Sequence, residues 1–132
     1  MPGKIKFAYR ASLDVVVADV DWTIETQEDV LVWYEEYKAY FLPRFNRKVD
    51  LILELSHFHV EPRVGPFFGV YRARVLSEFT NRSYRVRQLA RERAFMYTSS
   101  ALYGAPANHF TSIDAAIAAL QADRAASVGS RP

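Results

Sequence analysis

Residues 49–69 read VDLILELSHFHVEPRVGPFFG, and how they are read decides the fold. The first seven, Val49 to Leu55, are apolar apart from Asp50 and Glu54. A strand with apolar side chains on both faces belongs in the middle of a sheet covered above and below. The end of the stretch places Gly65 and Pro66 ahead of Phe67 and Phe68. Proline is favoured in the first turn of a helix, where its missing N–H would be unpaired anyway. A buried strand, a polar connection and a helix start make one unit of an α/β sheet.

Working outward, Phe67, Phe68, Tyr71, Val75 and Phe79 place one apolar side on the helix that begins near Gly65. Upstream, Lys4 to Ala11 alternates as a strand does, and Asp14 to Ile24 carries the β-branched run Val15-Val16-Val17 followed by Val20, Trp22 and Ile24. Asp14 suits the tight turn of a hairpin joining the two. Thr26, with Asp29 three positions on, predicts a capping box with the shorter acid. Val30, Trp33, Tyr34, Tyr37 and Phe41 then recur at helical spacing, and Pro43 predicts a stop near Leu42. Downstream, SYRVRQL (residues 83–89) predicts a half-exposed strand, Glu92 to Leu102 a shorter helix, and Asn108 to Phe110 a short strand. Thr111 opens TSIDAAIAALQAD as a second S/T-x-x-D cap. The order is β-β-α-β-α-β-α-β-α, a single α/β domain over 1–126 with a mixed sheet and about four helices, and a flexible tail over 127–132.

Composition agrees with one packed core. The chain has 132 residues, 50% of them hydrophobic and 14% aromatic. No stretch reaches the roughly 20 apolar residues that span a bilayer. Met-Pro-Gly-Lys-Ile-Lys-Phe lacks the apolar segment of a signal peptide, which predicts a cytoplasmic protein without membrane insertion. With no cysteine, disulfides, thiol nucleophiles and cysteine-held metals are excluded. The net charge of +2 hides a cluster of Arg72, Arg74, Arg82, Arg85, Arg87, Arg91 and Arg93. With no nucleic-acid motif beside them, these arginines read as a solvated face with stems laid over the core.

The polar connection holds the chemistry-bearing residues. Free N–H groups at the helix start, with Arg63 beside them, can attract an anion. His57 and His59 would share one side of an extended chain, yet no third metal ligand is placed with them, so no metal is expected. Ser56 next to His57 lacks a nucleophile elbow, so no catalytic residue is assigned. Tyr40 departs from the stripe of Trp33, Tyr37 and Phe41, an aromatic surplus that suits contact with a partner.

Glu54-Leu55-Ser56 at the strand end, followed by Gly65 eleven residues after Glu54, resembles the STAS domain, the fold of bacterial anti-sigma factor antagonists. That family ends its central strand in Asp-Leu-Ser and opens the next helix with Asp-Ser-Ser-Gly or Asp-Ser-Thr-Gly. Its phosphoacceptor hydroxyl stands just before the glycine, where this chain has Val64, preceded by Pro62 and Arg63. Valine accepts no phosphate. The resemblance therefore implies a regulatory module that meets a protein partner, a second copy of itself included, without the usual phosphorylation switch. Arg63, Val64, Gly65, Pro66, Phe67 and Phe68 form the expected contact surface. Its expected action is non-enzymatic and needs no cofactor or nucleic acid. The second expectation is a small anionic or lipid-like ligand held near Ser56, His57, His59 and Arg63.

Overall fold

A computed structural model describes residues 4–88 and 109–129. The predicted hairpin forms: β1 (Ile5–Arg10) pairs antiparallel with β2 (Val15–Val20). Asp14 turns the corner at φ 49°, a left-handed conformation that aspartate tolerates better than most residues. The run to Ile24 is not one strand, however. It breaks at Asp21, and β3 (Trp22–Ile24) leaves the sheet to pair parallel with β5 (Phe58–Val60).

Helix α1 (Gln27–Arg44) starts on the expected capping box. The Asp29 N–H donates to Thr26 Oγ1 at 3.1 Å, and the Thr26 N–H donates back to Asp29 Oδ2 at 3.2 Å. It runs two residues beyond the stop predicted at Leu42, with Pro43 inside its last turn. In that turn Arg44 Nη1 also donates to the Tyr40 carbonyl, at 3.1 Å.

β4 (Val49–Glu54) is buried at every position and lies parallel between β2 and β6 (Thr80–Val86). β7 (His109–Phe110) extends the sheet beyond β6, giving the order β1-β2-β4-β6-β7. All neighbours except β1 and β2 run parallel, so the sheet is mixed. Helix α2 (Gly65–Phe79) follows a single 3-10 turn, Pro62–Val64. α3 (Ile113–Gly129) is capped by Ser112 rather than Thr111, the Ala115 N–H donating to Ser112 Oγ at 3.0 Å. This last helix passes through Ser127 and Val128, where a tail was predicted. The helix predicted over Glu92 to Leu102 lies outside the described residues.

The β-branched run now has a physical account. Val16, Ala18 and Val20 share a core with Leu51, Leu53, α1 and α2, while Val15 and Val17 join Ile52, Tyr84, Val86, Ala116 and Leu120 of α3 on the other face. Alternation along each strand feeds two cores at once. β6, expected to be half exposed, is buried from Ser83 through Val86 because both faces are covered.

Arg124 fastens α3 to the sheet. Its Nε and Nη2 donate to Asp50 Oδ2 at 3.0 and 2.7 Å, and its Nη1 and Nη2 reach the carbonyls of Leu13 and Asp14 at 2.6 and 2.8 Å. The central strand, the hairpin turn and the last helix thus share one guanidinium.

Candidate functional site

The carboxyl end of β4 continues into Leu55, whose N–H donates to the Val86 carbonyl at 2.9 Å. Glu54 is buried beneath this end. The Arg87 guanidinium pairs with Glu54 Oε1, and the Ser56 N–H donates to Oε2 at 3.2 Å. Burial pushes the Glu54 carboxyl up, but bonds from Arg87 and from the Ser56 hydroxyl and amide outweigh it and hold the pKa below the usual value. Arg87 reaches this position from a left-handed backbone, φ 54°. A carboxylate therefore already occupies the Ser56 amide.

The histidines do not converge. The Phe58 N–H donates to the Leu55 carbonyl at 3.2 Å, closing a turn that leaves His57 exposed outside β5. His57 Nδ1 lies 3.4 Å from Ser56 Oγ, whereas His59, within β5, puts Nε2 3.2 Å from Glu61 Oε2. Among the described residues no group of three or more acids and histidines is placed to hold a metal ion.

Beyond β5, Val64 and Gly65 donate their N–H groups to Glu61 and Pro62 carbonyls in the 3-10 turn. Pro66 has no N–H to give. The helix start is therefore poorer in donors than its sequence suggested, and no side chain caps it. Gly65 is an ordinary right-handed residue at φ −52°, so its value lies in the missing side chain at a buried site, not in backbone freedom.

Of the six residues expected to form the contact surface, Arg63 and Pro66 are exposed and Phe67 is half-buried. Val64, Gly65 and Phe68 are buried and cannot supply it. Phe68 packs its ring 4.8 Å from Trp33 and 5.6 Å from Phe58. The helical repeat brings Val70 out instead, 40% exposed, one turn beyond Pro66 and Phe67. Arg63, Pro66, Phe67, Val70 and Arg74 thus make one outward ridge with an arginine at each end.

Comparison with protein-family models, with curated proteins and with solved structures returned no match to the chain. Its function has to be read from this geometry.

The ridge is braced from behind. Tyr34 of α1 donates to Glu78 Oε1 at 2.5 Å, and Arg74 donates to Glu78 Oε2 and to the Tyr34 oxygen, each at 3.0 Å. Arg74 also lies over the Tyr34 and Tyr71 rings, at 4.6 and 5.2 Å. Phe67 stacks obliquely on Tyr71, with centroids 5.1 Å apart. The aromatic surplus of α1 is spent inside the molecule: Tyr40, the residue off the stripe, lies 4.3 Å from Phe7 in a nearly parallel stack.

The arginine cluster is not one solvated face. Arg72 and Arg85 are buried, at 4% and 2% exposure, while Arg74 and Arg87 face outward; Arg91 and Arg93 lie outside the described residues. The signal was present. Arg72 falls within the inward positions Phe68, Val75, Leu76 and Phe79 of α2. Arg85 faces opposite to Tyr84 and Val86, which belong to the α3 core, and so must point beneath α1 and α2.

Proposed function

We propose that the chain is a non-enzymatic regulatory module of STAS-like fold, working in the cytoplasm, that binds a protein partner through the outward ridge of α2. The observation that carries this reading is the exposure of Arg63, Pro66 and Val70 at helical spacing, with half-buried Phe67 beside them. Two apolar side chains beside a cation suit a partner surface with an apolar patch and a carboxylate. An antiparallel hairpin followed by parallel strands alternating with helices supports the fold reading. Val64, at the position of the phosphoacceptor in the resemblance, has no hydroxyl and is buried, which supports control without phosphorylation there.

The test is retrieval from native lysate with the wild type, Arg63→Glu, Val70→Asp and a control substitution at exposed Asp19. Proteins retained by the wild type and the control should be lost with both ridge variants. Equal retrieval by all four would remove the ridge from consideration.

A further inference from the structure

We infer that the β1 margin of the sheet takes an added strand from a partner protein, one whose sequence alternates acid, apolar, any residue, apolar, acid. This inference is independent of the contact ridge. The margin lies along the flank of α1 that carries Val32 and Tyr40, whereas Trp33 and Tyr34 meet α2.

The Asp21 N–H donates to the Lys4 carbonyl at 3.0 Å, one step outside a register that runs from Ile5 opposite Val20 to Arg10 opposite Val15. Antiparallel strands exchange these bonds at every second position. Lys6, Ala8 and Arg10 therefore turn their backbone groups toward β2, and Ile5, Phe7 and Tyr9 turn theirs outward. β1 stands last in the sheet order, so the outward N–H and C=O groups have no ladder partner among the described residues. Such a row is a template for another strand.

The two sides of that row differ in chemistry. Toward α1 lies an open groove of about 440 Å³, with Phe7, Val32, Ala39 and Tyr40 as apolar walls and Glu35 and Glu36 also lining it. Phe7 is half-buried there, and Tyr9 beyond it is 39% exposed. On the other side Lys6, Ala8 and Arg10 are exposed; Lys6 has Asp19 opposite it in the ladder, and Arg10 has Val15. Successive side chains of an added strand point alternately to these two sides. Apolar residues opposite Phe7 and Tyr9 enter the groove, and acids opposite Lys6 and Arg10 meet cations. A slip of one residue sets the acids beside Glu35 and Glu36, so the charges that admit one register reject the next. A second β1 brings its own Lys6 and Arg10 to the cationic side, so the occupant is a different chain.

The test follows amide hydrogen exchange of the isotope-labelled full chain as the peptide Thr-Glu-Val-Thr-Val-Glu-Thr is added. Without peptide, the Phe7 and Tyr9 amides should exchange much faster than those of Lys6 and Ala8. Saturating peptide should slow Phe7 and Tyr9 by roughly ten-fold or more and change Lys6 and Ala8 far less. The control Thr-Glu-Glu-Thr-Val-Val-Thr has the same composition but puts an acid and a valine on each face, and it should protect neither pair. Lys6→Glu with Arg10→Glu, at two exposed positions, should weaken the first peptide roughly ten-fold and favour its counterpart with lysine in place of glutamate. Arg63→Glu and Val70→Asp, on the ridge, should leave peptide binding unchanged. Equal protection by both peptides, or none by either, would overturn the inference. Phe7 and Tyr9 amides already as slow as Ala8 without peptide would overturn it too, by showing a margin covered by the chain itself or by a second copy.

Discussion

Glu54 shows how one side chain sets the pH response of a strand end. Its folded pKa is depressed, so the stability it contributes is fully present above the unfolded glutamate value of about 4.3 and disappears as pH falls through the folded value. Glu54→Gln should cost about 1–2 kcal/mol at pH 7, the range of a charge-assisted bond whose Arg87 partner is half in water. It should also flatten the acid limb of stability below about pH 4.3. Urea unfolding of both proteins between neutral and acid pH checks this, and parallel acid limbs would refute it. At this scale the sequence was legible where chemistry is local. Thr26 and Asp29 form their box because both partners sit within one turn. Arg72 was misread because its type, taken alone, argues for water while its place in the repeat argues for the interior. Position prevails because Arg72 continues the inward stripe of Phe68, Val75, Leu76 and Phe79 on α2.

Whole elements were legible when their pattern was long, and their limits were set by neighbours the sequence does not name. β4 announced itself through seven residues, whereas β3 and β5 have three each and take their strand character from each other. Helix α3 owes its docking to Leu120 and Ala116 against the sheet and to Arg124, which no spacing rule connects to Asp50, 74 positions away. Arg124→Ala should lower stability by roughly 2–3 kcal/mol, less than for a wholly buried pair because the Arg124 side chain remains 31% exposed. Arg124→Lys should recover only part of that loss, since an ammonium cannot serve Asp50 and two carbonyls with one planar fork. The readout is the urea midpoint at unchanged slope. Equal stability of wild type and Arg124→Ala would show that α3 needs no such clamp.

Seen whole, the molecule is a sheet with two unequal coats, α1 and α2 on one face and α3 on the other. Its β1 margin has no further strand among the described residues, a position that invites pairing with another chain. Lys6 and Arg10 guard it. They share the face opposite Phe7 and Tyr9, so antiparallel pairing with a second β1 would set cations on one side of the joint sheet. Lys6→Val with Arg10→Val should therefore raise self-association, read as a shift in mass by light scattering on a sizing column. A mass unchanged from wild type over the same concentrations would mean the margin is protected by something else. No helix among the described residues is long and apolar enough to cross a membrane.

The small ribbon of β3 and β5 has a consequence for how force travels. Trp22 donates to the His57 carbonyl at 3.3 Å and Glu61 to the Ile24 carbonyl at 2.9 Å, stitching both ends of the ribbon. Anything that tugs the ridge of α2 outward pulls on Glu61 and so on Ile24, three residues before α1 begins. The two helices, already bolted at Tyr34 and Glu78, are thereby yoked at their leading ends as well, and a load on one is shared by both.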